Sequence, residues 1–143
     1  MRVDVDPRVP LNASLAYAGF GFGIGYLGYD SCLDASAYTG VRFTTEGSLG
    51  TCKLAFGLQF SQDNNVLDNP SGACALKEKC FPPTAPFAVP GTVTVLFSEP
   101  FGGSPVDKLD PRTITGLQWG LALPTTGTPC SASFTVDDVT FVR

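Results

Sequence analysis

Gly19-Phe20-Gly21-Phe22-Gly23-Ile24-Gly25-Tyr26 sets the reading of the whole chain. Glycine and a large apolar residue alternate here without a break. A period of two belongs to a β-strand, in which successive side chains point to opposite faces. Phe20, Phe22, Ile24 and Tyr26 then face a packed interior, and the glycines leave the other face almost bare. A glycine in a strand costs about 0.5–1 kcal/mol relative to alanine, so a run of them asks for a reason. Two are open: a crowded crossing beneath another strand, or the floor of a ligand cleft. A turn is expected at Leu27–Asp34, and a second strand from near Tyr38 through Val41-Arg42-Phe43-Thr44.

The same period recurs along the chain. Cys52, Leu54, Phe56, Leu58 and Phe60 share one face, with Lys53, Ala55, Gly57 and Gln59 on the other. Thr92–Phe97 reads as a strand stopped by Pro100 and Gly102-Gly103. Thr113–Leu123 puts Leu117, Trp119, Leu121 and Leu123 on one side and Gln118 on the other, a phase that assigns the single tryptophan to the core. Ser131–Val142 is the closing strand. Arg2-Val3-Asp4-Val5-Asp6 alternates up to Pro7, so residues 1–15 are irregular or an edge strand. Residues 61–91, with Asp63-Asn64-Asn65, Asp68-Asn69-Pro70 and Pro82-Pro83, read as one long loop, and a loop of that length in a domain is commonly functional or mobile. No segment holds a helical period.

Composition points the same way. The 143 residues include 16 glycines, 12 prolines and 11 phenylalanines with only 15% charged side chains, the balance of a turn-rich all-β domain. One domain over 1–143, a two-sheet antiparallel β-sandwich, is the expected architecture.

Five cysteines stand in a chain without histidine. Zinc sites call for paired short spacings, and only Cys74 and Cys80 are close, so disulfides are the expectation. Cys74–Cys80 is expected to clip the 61–91 loop. Cys52 and Cys130 are a second pair, with Cys32–Cys130 or Cys32–Cys52 as alternatives. Disulfides imply an oxidising, extracellular setting, secreted or at the cell surface.

Several function classes drop out. A net charge of −4 without clustered Lys and Arg argues against nucleic acid. Glycines and Asn12 interrupt the uncharged run Pro10–Tyr29, so it is not a membrane span. Without histidine there is no Ser-His-Asp or Cys-His pair and no histidine metal site. Glycoside hydrolysis needs two carboxylates facing one sugar, whereas the three Glu and ten Asp fall mostly in turns. No enzyme is expected.

What remains is binding. Arg42, Thr44, Lys53, Gln59 and Gln118 lie on the polar faces beside the glycine stripe. If their strands share a sheet, they form a shallow polar trough, the alternative being an ordinary solvated face. Arg42, Gln59 and Gln118 are planar groups suited to paired hydroxyls, with Thr44 and Lys53 as lesser contacts. Tyr29, Tyr38 and Tyr17, near turns, are the expected stacking residues.

The order of these segments resembles the galactose-binding-like jelly rolls found as carbohydrate-binding modules of secreted bacterial proteins. The matching residues are the glycine-rich strand, Asp34-Ala35-Ser36-Ala37-Tyr38-Thr39-Gly40-Val41-Arg42-Phe43, Leu96-Phe97-Ser98, Asp110-Pro111 through Gln118-Trp119, and Phe134-Thr135-Val136-Asp137-Asp138-Val139-Thr140-Phe141. The resemblance spans about residues 19–142. It implies a jelly roll, a non-catalytic hold on a polysaccharide, and a structural calcium at Asp137 or Asp138, with no other cofactor required. Alternation sends those two aspartates to opposite faces unless a bulge intervenes. The family's usual acidic first strand has no match here, with Asp4 and Asp6 the only acidic candidates, so that strand is either missing or replaced by the Arg2–Asp6 edge strand. An open sheet edge in its place motivates the other reading: a structural extracellular β-sandwich subunit that assembles by strand addition, with other domains or copies of itself, into a surface layer or fibre.

Overall fold

The computed structural model describes residues 2–5, 17–23, 32–63, 72–75, 80–122 and 132–143. Among these residues eight strands form: β1 Arg2–Val5, β2 Tyr17–Gly23, β3 Gly40–Ser48, β4 Lys53–Phe60, β5 Thr84–Pro86, β6 Gly91–Leu96, β7 Ile114–Ala122 and β8 Ala132–Val142. They arise where side chains alternate. In β3, Val41, Phe43 and Thr45 are buried while Arg42 and Glu46 are exposed, and β4 buries Leu54, Phe56, Leu58 and Phe60. The one polar side chain on the buried side of β3, Thr45, donates its hydroxyl to the Gly91 carbonyl at 3.0 Å.

Every pairing is antiparallel, and the strands make two four-stranded sheets, β1-β8-β3-β6 and β2-β7-β4-β5. Along the chain each connection crosses between sheets, except β4 to β5. This is the jelly-roll order, a sandwich of two stacked sheets. Most expected strands fall within a residue or two of their places. Of the two readings of residues 1–15 the edge strand is the one found, and a first strand is present: Arg2–Val5 pairs with β8 at the sheet edge, from Arg2 opposite Thr135 to Val5 opposite Ala132. A backbone needs only a partner strand, not the family's acidic pattern, to join a sheet edge. The long loop also contains β5, too short and proline-rich to read as a strand, and it sits on the free side of β4.

The core is aromatic and ties the sheets together. Phe43 of the first sheet packs edge-on against Trp119 of the second, ring centroids 5.4 Å apart, and lies 5.1 Å from Phe56. Trp119 and Phe56 meet at 5.1 Å, and Phe87 closes on Phe43 at 5.1 Å. Trp119 is fully buried, as its phase requires, and so are Phe56 and Leu117. Such offset and edge-to-face pairs each add about 0.5–1.5 kcal/mol beyond area burial.

Cys74 and Cys80 are bridged as expected. Cys52 is also disulfide-bonded, while Cys32 is free and exposed, which removes both Cys32 alternatives. Cys130 lies outside the described residues.

Candidate functional site

The glycines of β2 lie in register with small residues and Gln118 of β7. Gly19, Gly21 and Gly23 stand opposite Gly120, Gln118 and Gly116 of β7. On the other side of β7, the same residues stand opposite Ala55, Gly57 and Gln59 of β4. One outward face of the second sheet is therefore floored by six glycines and an alanine, with Gln59 and Gln118 rising from it. At about 0.5–1 kcal/mol each, six strand glycines forgo roughly 3–6 kcal/mol relative to alanine. The result is a face with few side chains, on which Gly57 and Gly116 are buried and Gln59 and Gln118 half-buried.

The two glutamines act as a unit. Gln59 Nε2 donates to Gln118 Oε1 at 2.9 Å. That bond orients the two half-buried amides against each other. Gly57 lies under the Gln118 side chain: a Cβ there would stand 3.0 Å from Gln118 Cγ and Nε2 and 3.3 Å from Thr84 Cγ2. Lys53 is exposed on the same face of β4.

The expected trough is thus divided. Gln59, Gln118 and Lys53 share the second sheet with the glycine stripe, but Arg42 and Thr44 belong to β3 in the first. The jelly-roll crossover between β3 and β4 puts them on opposite outer surfaces. Arg42 stands between Thr94 and Thr140, and Thr44 between Thr92 and Asp137. Tyr38 is half-buried, its ring 5.5 Å from Phe141 with the Arg143 guanidinium 5.6 Å above it. Its ring is packed between neighbours and is not an open platform. Tyr29 lies outside the described residues, and of Tyr17 only the backbone, at the start of β2, is described.

The register of β3 on β8 shifts between Arg42 and Thr44, and Asp138 takes a positive φ of 52°. This bulge turns Asp137 and Asp138 both outward, and the Asp138 N–H donates to Asp137 Oδ1 at 2.9 Å. Among the described residues no third carboxylate joins them, and two side chains fall short of the six to eight oxygens calcium takes. These residues alone do not fit a calcium site.

At the end of β4, Asp63 closes a 3-10 turn (Ser61–Asp63) and accepts the Phe60 N–H at 3.3 Å. Burial pushes its carboxyl up to about 7, against the backbone bond that favours the charge. Its Oδ1 is buried and has no hydrogen-bond partner among the described residues.

Sequence reasoning missed two residues of this face. Thr84 of β5 stands opposite Gly57. Phe101 stands opposite Thr84, bonded through both backbone groups (3.1 and 3.2 Å), and is 65% exposed. The signal lay in Pro100-Phe101-Gly102-Gly103: a large apolar residue held in a turn, where burial is hard to arrange. No protein-family model matches the chain, and no curated protein or solved structure shows significant similarity to it.

Proposed function

We propose that the chain is a non-catalytic, extracellular carbohydrate-binding module that holds a polysaccharide on the outward face of β2-β7-β4-β5. The observation that carries this reading is the hydrogen-bonded Gln59–Gln118 pair standing over a glycine floor. Amides recognise hydroxyl pairs by donating and accepting together. Beside the pair, the glycines of β2 add no side chains to obstruct a flat ring. The contact as proposed needs no cofactor. The Cys74–Cys80 disulfide fits an extracellular setting. The competing assembly reading took its motive from a missing first strand, and β1 occupies that position.

Pull-down on insoluble cellulose, xylan, chitin and galactan tests the proposal. Retention on one of them, lost in Gln118→Ala and Gln59→Ala but kept in Arg42→Ala on the opposite surface, is the expected outcome. Retention insensitive to both glutamine substitutions would retire this face as the site.

A further inference from the structure

Cross-strand pairing places five residues in one row across the second sheet. Phe101 stands opposite Thr84, Thr84 opposite Gly57, Gly57 opposite Gln118, and Gln118 opposite Gly21. Directly paired residues of antiparallel strands present their side chains on the same face. Thr84 is on the outer face, because its Cγ2 lies beside the Cβ position of Gly57 and close to Gln118. Phe101, paired with Thr84, therefore shares that face. At about 4.8 Å per strand, the row runs ~19 Å from aromatic ring to bare glycine.

We propose that Phe101 is the stacking residue of this face, and that the ligand is an extended, uncharged polysaccharide lying across the strands along this row. The inference rests on the carbohydrate-binding reading above and narrows its ligand. Three observations carry it. Phe101 is the most exposed of the large hydrophobic residues described, yet it is not adrift. Its backbone is bonded to Thr84 on both sides, and the following Gly102 N–H donates to Asp107 Oδ1 at 2.5 Å. A held, exposed ring can cover the apolar face of a sugar with little ordering cost.

The row also carries little bulk. Between the ring and the Gln118 amide lie only a threonine and a glycine, so a ring stacked on Phe101 extends directly toward Gln118. The third observation is charge. Among the described strand positions of this face, Lys53 alone is charged, ~13 Å along β4 from Gly57. Arg42, Glu46, Asp137 and Asp138 are exposed on the other sheet. At the row's Phe101 end the exposed Asp107, bonded to the Gly102 N–H, and Lys108 stand beside the row but not in it, so an ionised ligand would find no charged partner among the row's own residues.

Affinity electrophoresis separates the possibilities. Native gels carry xyloglucan, mixed-linkage β-glucan or hydroxyethylcellulose as neutral probes, and polygalacturonate or alginate as anionic ones. The wild-type chain is expected to be retarded by a neutral probe. Phe101→Ala should weaken that retardation about tenfold, while Phe101→Tyr keeps it and Thr94→Ala, on the opposite surface, is neutral. Circular-dichroism melts confirm that each variant folds. Loss of retardation in Gln118→Ala with none in Phe101→Ala would remove Phe101 from the site and leave the site standing. Retardation by anionic probes alone would overturn the uncharged ligand, and no retardation by any probe would overturn the binding reading together with this inference.

Discussion

Gly57 and Asp63, six positions apart, show how much single residues decide. Gly57 sits where a methyl group would press on the Gln118 side chain, at both Cγ and Nε2. A flexible side chain can yield, so Gly57→Ala should change stability by less than about 1 kcal/mol. It should still weaken glycan binding, because Gln118 is pushed off Gln59. Unchanged retention on the preferred glycan would mean that the glutamine pair is not the recognition element. Asp63 makes a different forecast. Its folded pKa, about 7, lies above the ordinary 3.8, so its contribution to stability is fully present below the lower value and is lost as pH rises through the upper one. Urea unfolding between pH 4 and 8 should show stability falling toward pH 8, with a flatter profile in Asp63→Asn. Equal slopes would put Asp63 in water. At lower pH the sense reverses. Hydrogen bonds from Ser36 to Asp34 and from Arg112 to Asp110 hold both carboxyls below their ordinary value, so what they add is lost as pH falls below about 3.8.

At the scale of strands, sequence and structure agree where alternation is strong and part company where it is short. β3, β4, β6, β7 and β8 were legible because one face of each is mostly apolar, Thr45 being the buried polar exception in β3, and Trp119 was placed in the core by phase alone. β5 and the Phe101 bridge were not, since three residues amid prolines carry no period and only pairing to β4 makes them strand-like. The bulge at Asp138 was legible only as a condition: neighbouring aspartates share a surface if an extra residue interrupts the ladder, and one does. The division of Arg42 from Gln59 was invisible, because alternation tells which face a residue takes but not which sheet its strand joins. Close packing between strands also sets limits. A Cβ on Gly40 in β3 would collide with the Val95 carbonyl oxygen and stand 2.9 Å from Leu96 Cα, both backbone atoms of β6. Gly40→Ala should therefore destabilise by about 1–3 kcal/mol, read as a lower urea midpoint. A neutral result would show that β6 moves freely on β3.

The molecule as a whole has two outer surfaces with different chemistry. The first sheet shows threonines and mixed charges; the second shows glycines, two amides and an exposed ring. Between them the Phe43–Trp119–Phe56 cluster holds the sheets at fixed spacing, so a substitution on one surface should leave the other undisturbed. The central claim is that only the second surface meets a ligand. An amide-resolved NMR titration of the isotope-labelled chain with soluble xyloglucan and mixed-linkage β-glucan tests it most directly. The account predicts shifts gathered at Gly21, Gly57, Gln59, Thr84, Phe101 and Gln118, with Arg42, Thr94 and Thr140 silent. Shifts centred on Arg42, Thr94 and Thr140, or none with either glycan, would contradict it.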